Sequence, residues 1–334
     1  MKKIAIIGAG GWGTALSIVL SQSPVAHRVA LWAREESVRE SLQKDRKNLI
    51  FLPGFTIPEQ VEVVAEISGA VHGADFIIGA MPSAHARALY SEILPHAAPS
   101  AVIVSATKGL EPESHLRMTQ VIADLLPPKS QLRVAAISGP SFAKEVAQGD
   151  PAAIVVASAH PQTALEIQHE FSGPTLRLYT NTDVVGVEIG GAVKNVIAIA
   201  AGVAEGLGLG HNTMAALITR GLAEIMRLGT ALGAQRETLA GLAGLGDLVL
   251  TCTGELSRNR HVGIQLGHGK KLEEVLSSTP TVAEGVGTTA AAQALSREAK
   301  IEMPITAQMY GVLYERRSPR DAIRELMHRP LKAE

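Results

Sequence analysis

The sequence predicts a two-part chain: a doubly wound, mostly parallel Rossmann-type α/β domain over residues 1–182, then an all-helical domain over residues 183–334. Three observations carry that reading. Short β-rich runs alternate with helical patterns up to about Tyr179, a glycine-rich turn follows the first run, and no convincing strand appears after Asp183. At 334 residues the chain exceeds what one hydrophobic core usually spans.

The strand candidates are residues 4–7, 29–32, 61–64, 76–79, 102–105, 134–137, 153–157 and 176–179. Several are apolar throughout rather than alternating, the pattern of parallel strands covered on both faces. Crossover helices are expected at 14–22, 84–94, 116–126 and 161–171, with Pro58, Pro82, Pro95, Pro99, Pro127 and Pro128 at the junctions. In the second half, residues 184–204 read as a long helix rich in Ala, Val and Ile. Further helices are expected at 212–232, 259–266, 272–277, 288–299, 305–314 and 321–328.

Apolar residues make up 46% and charged residues 19% of the chain, a globular composition. Lys and Arg (31) nearly balance Asp and Glu (32), and no long basic run supplies a nucleic-acid footprint. The single cysteine, Cys252, excludes an internal disulfide and reads as a small buried hydrophobe. Lys2-Lys3 before an apolar stretch resembles the start of an export signal, but Gly8, Gly10, Gly11 and Gly13 fit that role poorly. A cytoplasmic protein without an integral membrane span is expected. No metal site is assigned.

Gly8-Ala9-Gly10-Gly11-Trp12-Gly13 satisfies G-x-G-x-x-G directly after a strand and directly before a helix. In such a turn the first glycine permits the tight bend. The second lets a diphosphate approach the backbone, and the third lets helix and strand pack closely. The helix N-terminus then faces the diphosphate. At the end of the second strand the sequence reads Trp32-Ala33-Arg34-Glu35. Arg34 suits a 2′-phosphate or an adenine face, which favours NADP(H), while Glu35 keeps NAD(H) open.

Reduction of a ketone needs a donor that neutralises the forming alkoxide. Lys108 stands just past a strand end, where ligands of parallel sheets bind. Lys194 lies inside an otherwise apolar helix, where burial would lower its pKa toward a useful value. Ser138-Gly139-Pro140-Ser141 ends another strand with small groups and hydroxyls. Gly244-Leu245-Gly246-Asp247 is expected to present a carboxylate from a turn, able to pair with a lysine. Ser257-Arg258-Asn259-Arg260 combines a hydroxyl, a guanidinium and an amide at a helix start, a combination suited to phosphate and equally to a capped helix.

Together these residues resemble the bacterial NAD(P)-dependent glycerol-3-phosphate dehydrogenases. The matching motifs include the glycine-rich turn, Leu52-Pro53-Gly54, Thr107-Lys108-Gly109-Leu110, Ser138 to Ala143, Ala192-Val193-Lys194-Asn195, residues 216–221, residues 244–253, Ser257 to Arg260 and Val282 to Gly285. They run in order from residue 3 to about 315. The resemblance implies that Lys194 is the acid/base and that Lys108 contacts substrate and cofactor, with Gly139 and Ser141 beside the substrate. It implies that Asp247, Ser257, Arg258 and Asn259 hold the substrate's hydroxyl and phosphate ends. Gly11, Trp12, Arg34, Ala143, Arg258, Val282 and Glu284 would line the NADP(H) site. The implied reaction interconverts dihydroxyacetone phosphate and sn-glycerol 3-phosphate, the latter feeding phospholipid synthesis.

Phe51 stands where that family usually has Tyr, and His211-Asn212 replaces an acidic-Asn pair. One alternative of the same two-domain plan is a β-hydroxyacid dehydrogenase, a family that usually carries Asn four residues after its helix lysine. Here Ala198 occupies that place. A non-catalytic NADP(H)-sensing module explains the glycines but not Lys194, Asp247 and Arg258 together. The apolar helical half is compatible with a homodimer.

Overall fold

The computed structural model describes residues 1–278 and 282–331. It opens with β1 (Lys2–Ile7), α1 (Gly11–Ser21), β2 (His27–Trp32) and α2 (Glu36–Lys44). A short antiparallel hairpin, β3 (Lys47–Asn48) and β4 (Leu52–Thr56), leads to β5 (Val61–Val64) and α3 (Ile67–Val71). The alternation continues through β6 (Phe76–Gly79), α4 (Ser83–Ile93), β7 (Val102–Ser105), α5 (Met118–Leu125) and β8 (Arg133–Ser138). It closes with α6 (Ala143–Gln148), β9 (Ala152–Ala157), α7 (Pro161–Phe171) and β10 (Leu176–Asn181).

Eight strands form one sheet in the order β10-β9-β8-β7-β6-β1-β2-β5. Every neighbouring pair is parallel except β8–β9, where the short α6 connection turns the chain back antiparallel. Successive strand residues point to opposite faces. Ile4, Ile6, Phe76 and Ile78 join one core with Leu16 of α1 and Phe171 of α7, while Ala5, Ile7 and Ile77 join another with Tyr90 and Ile93 of α4. Burial on both faces is the physical reason these strands read as continuous apolar runs. The doubly wound, mostly parallel sheet expected from the sequence is therefore present.

The second half is helical: α8 (Val184–Gly206), α9 (His211–Ala231), α10 (Arg236–Ala240), a π-helical turn at Leu242–Gly246, α11 (Asp247–Thr253) and α12 (Arg258–Gly267). Then come α13 (Leu272–Ser277), α14 (Glu284–Glu298), α15 (Pro304–Tyr314) and α16 (Pro319–Met327). α8 is long and apolar enough to cross a membrane by length and composition, but its residues from Gly186 to Ala204 are all buried inside the protein. A helix apolar all round belongs in a core, and the other helices wrap it.

Two helices meet there at unusually short range. A Cβ on Gly263 of α12 would lie 2.0 Å from the Ile199 carbonyl oxygen, and one on Gly202 of α8 2.0 Å from that of Arg260. Only glycine permits this approach, and it sets the N-terminus of α12 beside the middle of α8.

One local expectation fails. Asp247 does not sit in a turn; it is the first residue of α11, continuous with the π-helical turn before it. A Cβ on Gly244 would lie 1.9 Å from the Leu239 carbonyl oxygen, so the glycine that suggested a turn instead lets the wide π-helical turn close against the end of α10.

Candidate active site

The glycine-rich turn connects β1 to α1. Gly8 has φ +113°, and a Cβ there would press on the Ala80 carbonyl at 2.9 Å. A Cβ on Gly13 would lie 1.9 Å from the Gly8 carbonyl oxygen. Around Gly10, by contrast, nothing lies within 4 Å, so space remains open at the N-terminus of the eleven-residue α1. Asn48, fully buried, pins the turn from outside: its Nδ2 donates to the Ala9 carbonyl (2.7 Å) and to Thr14 Oγ1 (2.9 Å). Ala143 and the Phe51 carbonyl flank Gly11. Phe51 thus contributes backbone here, where the resembled family would offer a phenol. Trp12 Nε1 is buried without a hydrogen-bond partner. A free donor, an open glycine and a helix N-terminus together fit a dinucleotide diphosphate.

Arg34, just past β2, is exposed, with no hydrogen bond or ion pair among the described residues. A free guanidinium there is available to a 2′-phosphate. Val282 is also exposed. Glu284, at the first turn of α14, reaches across to α4: its Oε1 accepts the Ser83 N–H (2.9 Å) and its Oε2 the Ser83 hydroxyl (2.5 Å). The carboxylate expected to line the cofactor site therefore also caps α4 across the two halves. Burial pushes its carboxyl pKa up, opposed by the Ser83 bonds and by Arg258.

The lysines meet one carboxylate. Asp247, 1% exposed, turns Oδ1 to Lys194 and Oδ2 to Lys108, the latter at 2.9 Å. Lys108 Nζ also donates to the Gly139 carbonyl (2.6 Å) and to Ser141 Oγ (3.1 Å). Lys194 Nζ donates to Thr251 Oγ1 (3.0 Å), and that hydroxyl donates to the Asp247 carbonyl (2.6 Å). Five residues from four separate segments of the chain (Lys108, Gly139, Ser141, Lys194 and Asp247) are brought together, and Thr251 joins them. Burial drives the Lys194 pKa down to about 7; Asp247 opposes the shift and the Lys108 charge adds to it. A buried, paired amine that exchanges a proton near neutrality can act as acid or base. Cys252, beside this cluster, is fully buried and its thiol is pushed up to about 12 by burial, so it is inert at neutral pH.

α12 begins at the same place. Ser257 caps it, its hydroxyl accepting the Arg260 N–H at 3.2 Å. Arg258 is exposed and makes no hydrogen bond or ion pair among the described residues. Asn259 is committed inside the protein: its Nδ2 donates to Asn195 Oδ1 (2.9 Å) and its Oδ1 accepts the Gly285 N–H (2.9 Å). Asn195 in turn donates to the Lys108 carbonyl (3.1 Å). Only the second Nδ2 hydrogen of Asn259 is left for a ligand. The sequence reading assigned no role to Thr251, Asn195, Asn48 or Ser83. Thr251 was findable: it lies four residues after Asp247, one helical turn along the same face.

Several known proteins similar to this chain share one description. The sequence model of the NAD-dependent glycerol-3-phosphate dehydrogenase N-terminus matches residues 3–164, and that of the C-terminus matches residues 183–324. Glycerol-3-phosphate dehydrogenase [NAD(P)+] of Koribacter versatilis is 55% identical over 100% of this chain and 99% of its own length. Its counterpart from Geobacter sulfurreducens is 50% identical with the same coverage. The crystal structure of glycerol-3-phosphate dehydrogenase from Coxiella burnetii superposes with a TM-score of 0.93 at 39% identity, covering 98% of this chain and 99% of that one. These matches over both halves, consistent with the glycine-rich turn and the two lysines on a buried carboxylate, place the chain in the NAD-dependent glycerol-3-phosphate dehydrogenase family.

Proposed function

We propose that this chain transfers hydride reversibly between a nicotinamide cofactor and C2 of dihydroxyacetone phosphate, giving sn-glycerol 3-phosphate. The observation that carries the reading is Lys194, buried against Asp247 and Thr251 in a chain whose relatives bear that activity. The cofactor, NADP(H) or NAD(H), supplies or accepts the hydride when bound at the glycine-rich turn.

The protein's own residues do the rest. In reduction Lys194 gives its proton to the oxygen at C2 as negative charge develops; in oxidation it takes that proton back. Lys108, held by Gly139, Ser141 and Asp247, adds positive charge beside the same oxygen. Asp247 holds both amines at fixed places without shedding their charge into solvent. The free Arg258 guanidinium and the N-terminus of α12 grip the phosphate, with Ser257 and the remaining Asn259 hydrogen beside them. Anchoring the phosphate holds C2 in register with the cofactor. Gly8, Gly10, Gly11, Trp12, Gly13 and Ala143 receive the diphosphate side, while Arg34 favours a 2′-phosphate. Val282 and Glu284 close the far side. We place the reaction in the cytoplasm, its product supplied to phospholipid synthesis.

Parallel assays of NADPH and NADH consumption, with dihydroxyacetone phosphate and with 3-oxo acids, test this. Consumption with the phosphorylated ketone alone, faster with NADPH, is expected. Consumption only with 3-oxo acids, or tight NADPH binding without turnover, would overturn it.

A further inference from the structure

α8 does more than carry Lys194. Glu188, 8% exposed and six residues earlier, projects from this helix into the sheet domain. Its Oε1 accepts the Thr119 N–H (2.8 Å); its Oε2 accepts the Thr119 hydroxyl (2.5 Å) and Arg117 Nη1 (2.6 Å). Arg117 and Thr119 begin α5, at the end of the loop that carries Lys108. That loop folds back on itself, for the Arg117 backbone is bridged antiparallel to Leu110, two residues after Lys108. The Glu111 N–H donates to the Leu116 carbonyl (2.9 Å), and Leu110 is buried in the core of the helical half.

Asn195 grips the other end of the loop through the Lys108 carbonyl. Glu188 and Asn195 are seven residues apart, two turns of one helical face. Between them Gly191 faces the Lys108 stem at ordinary contact distance, and its missing side chain makes room for Ser138, whose Oγ a Cβ would strike. Lys194 sits beside that face, about 9 Å along a rigid helix from Glu188.

We propose that Glu188 is a positioning residue that fixes Lys108 relative to Lys194 across Asp247, through Arg117 and its bridge to Leu110. The inference rests on the roles given above to Lys194 and Lys108. It assigns Glu188 no contact with substrate or cofactor.

The direction of its effect follows from the charges facing Lys194, which are Asp247 on α11, Lys108 on the loop, and the Cys252 thiol, neutral at working pH. If the loop relaxes, the repulsive Lys108 charge recedes and Asp247 pairs more fully with Lys194. Both changes raise the Lys194 pKa. Around Glu188 itself the facing groups are Arg117, Thr119 and the buried Tyr90 hydroxyl.

The test is steady-state kinetics against pH for Glu188→Gln and Arg117→Lys, with melting temperatures and with Lys194→Ala alongside. Expected for both variants are a kcat reduced about tenfold, a cofactor KM near that of the unaltered protein, and an upward move of the pH midpoint of kcat. Lowered melting temperatures with unaltered kcat and midpoint would reduce Glu188 to a structural tie and overturn the proposal. If Glu188→Gln does not fold, Arg117→Lys, which keeps the charge and shortens the reach, decides by the same readouts. Full turnover in Lys194→Ala would instead sink the underlying reading of the site, a result distinct from either.

Discussion

The glycine-rich turn and the lysine cluster are built on opposite principles. At the glycine-rich turn the protein offers mostly backbone: absent side chains, a helix N-terminus, and one pinning amide from Asn48. At the lysine cluster it offers mostly side chains: lysines from the β7–α5 loop and α8 converge on one carboxylate of α11, and the β8–α6 turn holds the first of them. A backbone site is specified by residues that must be small and lie close in sequence. A side-chain site can be assembled from anywhere, and here its properties come from burial: the same lysine on a surface would stay charged throughout the physiological range.

That contrast can be broken at either site. Lys194→Ala should lower kcat by about 10³-fold while the NADPH Kd, measured by fluorescence titration, stays unchanged. Equal losses in both would mean that the two sites are not separable. Gly13→Ala should fail differently. Its Cβ meets the Gly8 carbonyl oxygen at 1.9 Å, so the turn must deform, and we expect about 3 kcal/mol of lost stability in thermal melts together with lost NADPH binding.

Arg258→Met should raise the KM for dihydroxyacetone phosphate about a hundredfold, the loss of a charge-assisted bond of roughly 2–3 kcal/mol. The smallest and most selective effect belongs to Gly10→Ala. Open space surrounds that position, so the protein should melt as before and yet bind NADPH about tenfold more weakly. A normal NADPH affinity there would show that the diphosphate does not pass over Gly10.

Much of this was legible in the sequence because the forces responsible are local. All eight strands of the main sheet were marked as short β-rich runs, several of them apolar throughout, and α7 and α13 by helical pattern to the residue. The elements that escaped are short or polar. The β3–β4 hairpin, α2, α3, α6, α10 and α11 are too short, or hold too few apolar positions, for periodicity to register. Asp247 was recognised as a partner for a lysine but placed in a turn, because glycine usually breaks helices and here permits a π-helical one. Which residues pair is harder still to read. Glu188 meets Arg117, and Glu284 meets Ser83, across sequence separations that no local pattern encodes. Asn259 shows the converse: its type suits a phosphate ligand, but tertiary packing has engaged both ends of its amide.

The central claim is that burial holds Lys194 near neutrality so that one amine serves both directions of the reaction. Its sign is definite. A pKa of about 7 leaves the amine charged and able to donate below that pH, and neutral and able to accept above it. The most direct measurement is kcat against pH for sn-glycerol 3-phosphate oxidation and for dihydroxyacetone phosphate reduction by the unaltered protein. Oxidation should rise and reduction should fall through a common midpoint near 7. An oxidation rate still climbing toward pH 10, with reduction undiminished to the same point, would show an ordinary lysine and contradict the account.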